Sequence, residues 1–308
     1  MTSRRRFLQT SAILPFALKG FSGNIKAYKP LLSFSTLGCP DWTFTQIVDF
    51  AAANGYNGIE FRGIQRELYL PKCPEFNSVQ HITESKSKLA DKGLKVADLG
   101  SSTELHHQDA ATRAKNIDEG KRFIDLAEKL DCPYIRVFPN NLPKNEERSK
   151  VTDLIIQGLA ELGDFAKGSK VRVLMESHGD AVKTEELKKI MEATVQNNTG
   201  LVWDIVNMWS VTKEPPAAVY NQLNKYICHT HLKDLQFEGD KIHYVQFGTG
   251  VAPVYEAIDA LYKGGYKGYY SFEWEKLWHP EIDDPQVALA GFPKAMRKHF
   301  EGISRQAT

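Results

Sequence analysis

The amino-acid sequence predicts an α/β protein built as a single closed (β/α)8 barrel, or TIM barrel. Short apolar runs alternate with longer amphipathic runs along most of the 308 residues, as strands joined by crossover helices do. Eight such units over about 270 residues match the usual size of this barrel. An open doubly wound sheet is the alternative, but no glycine-rich dinucleotide turn follows the first strand, where the sequence is Gly38-Cys39-Pro40.

The predicted strands are short runs rich in Val, Ile, Tyr and Phe, the residues that strands prefer. In chain order they are 32–39, 58–62, 96–101, 134–138, 171–177, 200–206, 226–232 and 269–274. Between them, apolar residues recur at helical spacing in 44–51, 117–130, 154–165, 185–193, 215–223 and 254–261. No internal repeat beyond this alternation and no low-complexity linker interrupts the pattern, so we predict one barrel domain.

The first 27 residues are expected to be an export signal rather than part of the barrel. The sequence SRRRFL at positions 3–8 looks like a twin-arginine signal, and a modest apolar stretch at 12–18 follows it. That stretch is too short to span a bilayer as a helix. We therefore predict a signal segment at 1–27, a barrel domain at 28–308, and a periplasmic or otherwise exported protein without stable membrane insertion. A basic, disordered tail is the alternative.

Composition limits the classes of protein and partner. With 42% hydrophobic and 25% charged residues, the chain has enough apolar material for a sizeable core. Its formal net charge of +1 lacks the basic character typical of nucleic-acid binding. The four cysteines are widely spaced and form no CxxC pattern, which indicates neither a zinc finger nor a disulfide scaffold. We expect a small-molecule partner and no nucleic acid, and we leave open a homo-oligomer.

Ionisable residues lie near the C-terminal ends of four consecutive predicted strands. They are Glu176, Asp204, His231 and Glu273. Because catalytic groups of such barrels lie at the C-terminal ends of strands, we expect these side chains to converge. Three carboxylates and one imidazole cannot pack together without a counter-charge, since like charges would keep some carboxyls protonated. An oxygen-rich set with one nitrogen predicts one divalent metal ion, Mn²⁺, Mg²⁺ or Co²⁺, with Zn²⁺ as an alternative.

Each of these residues has a simpler explanation when it is taken alone. A strand-end Asp or Glu often pairs with a basic neighbour or caps the next helix. The occurrence of all four on successive strands is what favours the metal site. His229 is an alternative to His231 as the ligand, although we favour a hydrogen-bonded, inward-pointing histidine. Glu275 is expected beyond the metal shell, in a salt bridge with a loop.

At these residues the chain resembles the xylose-isomerase-like barrel superfamily of sugar-phosphate isomerases and epimerases. The motifs that carry the resemblance are Glu176-Ser177-His178-Gly179, Asp204, His231-Leu232-Lys233-Asp234 and Glu273, with Gly248-Thr249-Gly250 similar to the family's glycine loop. The resemblance covers nearly all of the chain beyond the predicted signal segment. It implies a single metal ion bound by Glu176, Asp204, His231 and Glu273, and, in the epimerase branch, proton transfer by the two glutamates.

The sequence also departs from the family's pattern. Several epimerases have a second histidine three residues after the metal-binding aspartate, where this chain has Asn207. They also have an arginine some residues past the metal-binding histidine, whereas 234–237 contains none. These differences concern the substrate contacts and leave the metal-binding set intact.

The expected reaction is proton transfer next to a carbonyl. A bound metal would hold the carbonyl and the adjacent hydroxyl of a ketose or keto-sugar and stabilise the enediolate. Glu176 and Glu273 are the predicted catalytic residues: one removes a proton from carbon and the other returns it from the opposite face. Burial is expected to raise the pKa of such a glutamate toward the working pH. The predicted substrate-binding residues are His178, Lys233, Arg62 and Arg136, with ion pairing to rim carboxylates as the alternative for the two arginines.

The predicted export favours a non-phosphorylated substrate, because phosphorylated sugars are mostly cytoplasmic and no phosphate-binding glycine loop stands out. We therefore predict a metal-dependent isomerase or epimerase acting on a non-phosphorylated sugar or keto-sugar. The same chemistry could eliminate a leaving group β to a ketone, which would make the protein a 3-keto-glycoside lyase or hydrolase. A non-catalytic carbohydrate-binding protein is a further alternative. The related apurinic-site endonucleases are disfavoured, because they need a histidine-rich three-metal cluster and a basic DNA face.

Overall fold

Eight parallel strands close into a barrel in the computed structural model, as the sequence predicts. The structure describes residues 28–306, so the predicted signal segment at 1–27 lies outside the described residues. The strands are β1 (Leu31–Ser35), β2 (Gly58–Phe61), β3 (Lys95–Glu104), β4 (Tyr134–Phe138), β5 (Arg172–Glu176), β6 (Thr199–Asp204), β7 (Ile227–Leu232), β8 (Asp234–Glu238), β9 (Lys241–Val245) and β10 (Tyr269–Phe272). All except β8 and β9 belong to the barrel, in the order β1-β10-β7-β6-β5-β4-β3-β2. The C-terminal ends of β5, β6, β7 and β10 therefore lie side by side.

Helices follow each of the barrel strands. They are α1 (Phe44–Asn54), α2 (Val79–Asp91), α3 (Ala110–Lys129), α4 (Glu147–Phe165), α5 (Thr184–Thr194), α6 (Ile205–Thr212), α7 (Pro216–Leu223), α8 (Val254–Lys263) and α9 (Pro285–Gln306). The sequence analysis identified neither α2, α6 nor α9. In α2 the apolar stripe is thin, since only Ile82, Ser85 and Leu89 are buried. Among the described residues, no helix is both long enough and apolar enough to cross a membrane.

Local sequence explains where individual elements begin and end. The hydroxyl of Thr43 accepts a hydrogen bond from the Gln46 amide, and the Gln46 side chain accepts one from the Thr43 amide, so the two form a capping box at the start of α1. The helix ends at Gly55, whose φ of 77° lies in the left-handed region that glycine tolerates. The apolar face between these caps packs Phe44, Ile47 and other residues into the core beside the barrel.

The structure corrects several predicted strand bounds. The first strand ends at Ser35 rather than at residue 39, because a 3₁₀ turn follows at once. The sixth ends at Asp204 rather than at residue 206, because Asp204 caps α6. β3 runs on to Glu104, past a register shift against β4 that begins at Gly100. The hairpin of β8 and β9 was not predicted, since its residues are mostly exposed and lack a buried apolar run.

Candidate active site

The four predicted metal ligands lie together at the C-terminal mouth of the barrel. Glu176 and Asp204 are the last residues of β5 and β6, His231 is near the end of β7, and Glu273 directly follows β10. Parallel pairing places His231 opposite Asp204 on one side and opposite Ser271 on the other. One ligand atom of each of the four side chains lies within 4.8 Å of the others, and all four are buried. The fold thus brings the predicted set to one point, while its role as a metal site stays a prediction.

His231 is the centre of this cluster. Its Nδ1 lies 3.2 Å from Glu176 Oε1 and 3.3 Å from Glu273 Oε1. Adjacent ligands of an octahedral ion with bonds of about 2.1 Å are separated by roughly 3 Å, which is close to these spacings. The opposite ring nitrogen, Nε2, lies 3.0 Å from Glu60 Oε2.

The two carboxylate oxygens of Asp204 have different surroundings. Oδ1 accepts hydrogen bonds from the amides of Val206 and Asn207 at 3.0 and 2.8 Å, and so caps α6. Oδ2 lies 2.7 Å from Lys233 Nζ but is not aligned for a hydrogen bond. The strand end therefore aims one oxygen at the helix and leaves the other facing the cluster.

Lys233 joins the carboxylates of the cluster. Its buried ammonium donates hydrogen bonds to Glu273 Oε2 at 2.7 Å and to Glu275 Oε1 at 2.6 Å, in addition to its contact with Asp204. Glu275 thus lies outside the four-residue set, as expected, but its main partner is this strand-end lysine; the loop residue His279 is 3.8 Å away. Contact of Lys233 with substrate hydroxyls or the oxyanion stays a prediction, whereas the structure shows that its ammonium pairs with the carboxylates of the cluster.

The cluster fits a divalent cation. Four carboxylates, those of Glu176, Asp204, Glu273 and Glu275, contact only two fixed cations, Lys233 and Arg136. When His231 is neutral, as a metal ion at its Nδ1 requires, the four ionised carboxylates exceed these two cations by two negative charges, which one divalent ion would neutralise. Moreover, the buried oxygens Glu176 Oε2 and Asp204 Oδ2 have no aligned hydrogen-bond donor, although each lies beside a cation. Three carboxylates and one imidazole are suitable ligands for such an ion.

The electrostatics of the cluster differ from the expectation for a buried base. Burial would raise the pKa of Glu176, but His231 and Arg136 together lower it below its usual range. The expectation of a raised pKa is therefore wrong for this glutamate. Burial alone would lower the pKa of His231, yet the carboxylates of Glu273, Glu60 and Glu176 raise it well above its usual range. A metal ion at Nδ1 would have to displace that proton.

A cleft of about 350 Å³ lies above the cluster and is lined by all the predicted substrate-binding residues. Its lining includes Arg62, Glu104, Arg136, Asn140, Glu176, His178, Lys233, Glu273, Glu275 and Trp278. His178 Nδ1 lies 2.7 Å from Asn140 Oδ1, which orients the imidazole at the wall of the cleft. The two glutamates predicted to be catalytic thus face the space that a substrate would occupy.

The two predicted arginines lie next to each other in this wall. Arg136 contacts Glu176 at 3.1 Å and stacks its guanidinium 3.8 Å above the Phe138 ring. Arg62 donates a hydrogen bond to Ser102 at 3.0 Å, while its Nη1 is buried without a hydrogen-bond partner. A Cβ atom at Gly100 would lie 2.8 Å from Arg62 Cδ and 2.9 Å from Arg136 Nη2, so only glycine leaves room for both. Arg136 therefore pairs with a member of the cluster rather than with a rim carboxylate, and Arg62 keeps a donor free for a ligand.

Glu60 and Asp98 are buried acidic residues beneath the cluster that the sequence analysis missed. Glu60 Oε2 lies 3.0 Å from both His229 Nε2 and His231 Nε2, and accepts a hydrogen bond from Ser271 at 3.1 Å. His229 thus points inward and is hydrogen-bonded to Glu60 through Nε2, while its Nδ1 is buried without a hydrogen-bond partner. Because one ligand atom each of Glu60, His229 and His231 lie within 4.8 Å of one another, the choice of His231 over His229 as the metal ligand stays a prediction. An Nε2–H that donates to Glu60 leaves Nδ1 of His231 as the free ligand atom, the arrangement seen in carboxylate–histidine–metal triads. A charged residue inside the apolar run at 58–62 was the signal that could have revealed Glu60.

Replacing Glu60 by glutamine is expected to weaken divalent-metal binding about 10- to 100-fold, because the neutral amide orients and polarises His231 less well. Calorimetric titration of the chelator-treated protein with Mn²⁺ and Zn²⁺ would measure the change. Ser271→Ala is the matched control, since it removes another hydrogen bond to the same oxygen of Glu60 but leaves both histidines in place. Equal affinity of the Glu60→Gln variant and the wild type would contradict the assigned positioning role.

The ionisation of Asp98 makes the free energy of unfolding depend on pH. Neither of its carboxyl oxygens has a hydrogen-bond partner, and burial raises its pKa to about 6, with His229, Glu60, Arg136 and His231 as the ionisable neighbours. Because the ordinary pKa of aspartate is about 3.9, the folded state holds the proton more tightly than the unfolded state does. The contribution of Asp98 to the free energy of unfolding should therefore fall as the pH rises from about 4 through about 6.

We compare the free energy of unfolding of Asp98→Asn with that of the wild type. This difference should shift in favour of the variant by up to about 3 kcal/mol when the pH is raised from about 4 to about 8, because asparagine does not ionise. Urea unfolding of the metal-free proteins at both pH values measures the difference in the free energy of unfolding. The amide has its own desolvation cost, but that cost does not change with pH. A difference between variant and wild type that is the same at both pH values would rule out ionisation of Asp98 as its cause.

The fold and the site define a class: a (β/α)8 barrel with an acid–imidazole cluster at the C-terminal ends of adjacent strands. The chain belongs to the xylose isomerase-like TIM barrel family, whose model matches residues 48–294. This confirms the resemblance inferred from the motifs.

Curated relatives and solved structures agree with this assignment. An inosose dehydratase of Geobacillus thermodenitrificans is 31% identical over 153 residues, which span 43% of this chain and only 49% of that protein. An inosose isomerase of Halalkalibacterium halodurans is 25% identical over 243 residues, 76% of this chain and 82% of the relative. The crystal structure of the IOLI protein with a bound zinc atom superposes with a TM-score of 0.74 at 17% identity, covering 88% of this chain and 98% of the other. The last likeness shows the fold alone.

Proposed function

We propose that the protein is a divalent-metal-dependent isomerase or epimerase that moves a proton next to a carbonyl of a non-phosphorylated sugar or keto-sugar. The observation that carries this proposal is the pair of carboxylates, Glu176 and Glu273, that converge on His231 Nδ1 at 3.2 and 3.3 Å and line the cleft. Since β6 and β7 separate β5 from β10, the two carboxylates approach this point from different sides. Two bases on different sides of one substrate carbon suit proton removal from one face and return to the other.

Each residue then has a distinct part. Glu176, Asp204, His231 and Glu273 would hold the metal ion, which when bound supplies Lewis-acid stabilisation of negative charge on a substrate oxygen. Glu176 accepts the carbon-bound proton as a carboxylate and later releases it to solvent. Glu273, once protonated from solvent, delivers a proton to the opposite face. Lys233 and Arg136 hold these glutamates in position through contacts of 2.7 and 3.1 Å. The free Nη1 of Arg62 is a donor for substrate hydroxyls or for the developing oxyanion. His178 donates its Nδ1 proton to Asn140, so its Nε2 is an acceptor for a substrate hydroxyl.

A non-phosphorylated substrate is supported by how the glycine loop is used. The amides of Gly248 and Gly250 donate to Asp234 Oδ2 at 3.0 and 2.9 Å, so these donors are already bound to an internal carboxylate.

We also propose export through the twin-arginine-like segment. Cell fractionation of the wild type and the Arg4→Lys/Arg5→Lys variant tests it, and equal distribution of both between compartments would count against that route.

Elimination is the second candidate function, and the similarity to an inosose dehydratase favours it. The first step would be the same removal of a proton next to a ketone. The electron pair of that C–H bond then forms a carbon–carbon double bond as the bond to the β-oxygen breaks, and the leaving group departs with a proton. A 3-keto-glycoside would lose its aglycone in this way.

Proton exchange in deuterated water separates these possibilities. Mn²⁺-loaded protein is incubated with inosose, common ketoses and a 3-keto-glucoside, and carbon-bound deuterium and released products are followed by NMR. Deuterium uptake without loss of water or aglycone supports the isomerase or epimerase, whereas release of a leaving group supports the lyase. Saturable sugar binding without either event would overturn both and indicate a carbohydrate-binding protein.

A further inference from the structure

Three side chains with metal-ligand chemistry meet at a second place on the barrel mouth. Glu104 is the last residue of β3, and His106 and His107 follow it in the loop before α3. One ligand atom of each lies within 4.8 Å of the others. This cluster, the β3 cluster, shares no residue with the set on β5, β6, β7 and β10. It exists because β3 continues beyond the register shift at Gly100 and carries Glu104 to the level of Phe138.

The side chains of the β3 cluster are already close together and remain reachable from solvent. His107 Nε2 lies 3.0 Å from Glu104 Oε2, and the side chains of these residues are 26% and 33% exposed. The two imidazole rings are tilted against each other with their centroids 4.1 Å apart. An ion pair and ring contact alone would account for these distances, but they do not account for His106 Nδ1, which is buried without a hydrogen-bond partner.

The side-chain amide of Asn140 holds Glu104 of the β3 cluster in place. Asn140 donates to Glu104 Oε1 at 2.5 Å, and its carbonyl oxygen lies 2.7 Å from His178 Nδ1. Oriented ligands of this kind are typical of metal sites, in which partners outside the ligand shell fix the ligand geometry. A cavity of about 370 Å³ beside the two histidines leaves space for water or another ligand.

We propose that Glu104, His106 and His107 form a second divalent-metal site, selective for an ion that accepts nitrogen ligands, such as Zn²⁺. Two imidazoles and one carboxylate with an open fourth position form a common three-residue zinc set. The set of three carboxylates and one imidazole on the other strands favours harder ions, so the two sites differ in preference. An ion at Glu104 would also fix Asn140 and, through it, His178 at the wall of the cleft. The site itself does not depend on the proposed function.

Metal stoichiometry tests this proposal with the full-length protein. Chelator-treated protein is titrated with Zn²⁺ and with Co²⁺, by calorimetry and by visible absorption of the bound Co²⁺. The wild type should bind two ions, and His106→Ala/His107→Ala should lose one of them. Glu176→Gln/Asp204→Asn should lose the other ion and keep the site at Glu104. His243→Ala is the matched control, because His243 forms an exposed 3.0 Å pair with Glu238.

The outcomes for the two metal sites are separable. If His106→Ala/His107→Ala binds as many ions as the wild type with unchanged affinity, the second site does not exist. If Glu176→Gln/Asp204→Asn binds one ion with two nitrogen ligands by X-ray absorption, and adding His106→Ala/His107→Ala abolishes that binding, the second site stands whatever the fate of the proposed function. The added substitutions are needed because Glu60, His229 and His231 also offer two nitrogens and one carboxylate within 4.8 Å of one another. Failure of Glu176→Gln/Asp204→Asn to bind any ion, while the wild type binds one, would also overturn the second site. Circular dichroism and thermal unfolding verify that each variant is folded.

Discussion

Glu176→Gln is expected to slow the exchange of a carbon-bound substrate proton by about 10²- to 10⁴-fold. The amide cannot accept that proton, and it also replaces a charged oxygen that lies 3.2 Å from His231 Nδ1. Deuterium uptake by a responsive keto-sugar, measured at saturating Mn²⁺, gives the rate. Glu238→Gln makes the same chemical change at a side chain that is 82% exposed, and it should leave the rate within about twofold of the wild type.

Metal titration of the Glu176→Gln variant separates the two roles of this residue. If the variant still binds Mn²⁺ but does not exchange the proton, the loss is that of a base. If both are lost, the ligand role accounts for at least part of the effect. A metal-loaded variant that exchanges the proton as fast as the wild type would remove Glu176 from the mechanism.

Lys233→Met is expected to lower the free energy of unfolding of the metal-free protein by about 3–5 kcal/mol. Methionine fills a similar volume but leaves Asp204, Glu273 and Glu275 without their shared cation. Burial would lower the pKa of Lys233, but these three carboxylates raise it well above its usual range, so the native side chain is charged. Saturating Mn²⁺ should restore part of the stability, because an ion bound to the native state supplies the missing charge.

Urea unfolding with a chelator and with Mn²⁺ measures both parts of this prediction. Lys263→Met is the control, since Lys263 is 75% exposed and its 4.0 Å contact with Asp259 should contribute less than about 1 kcal/mol. Equal stability of the two variants would show that Lys233 does not hold the acidic cluster together. A loss for Lys233→Met that Mn²⁺ does not reduce would argue against an ion binding at Asp204 and Glu273.

The sequence by itself was sufficient to predict the barrel and the four-residue cluster at its mouth. Both depend on local patterns: a strand of a parallel barrel is a short apolar run, and the residue that ends it lies at the C-terminal rim. Glu176, Asp204, His231 and Glu273 each lie near the end of such a run, so their convergence followed once eight strands were counted. The signal segment at 1–27 and the export of the protein stay predictions.

Only the tertiary structure decided which partner each of these side chains has. Glu60 and His231 are 171 residues apart and lie on strands that are not neighbours, so they meet across the barrel interior only when the sheet closes. Likewise, the register shift after Gly100 brings Glu104 to the mouth. Burial against three carboxylates makes Lys233 the shared cation of the acidic cluster, which its position in the sequence did not indicate. Strand periodicity is a property of adjacent residues, whereas charge compensation in a buried cluster depends on every group that the fold brings within a few ångströms.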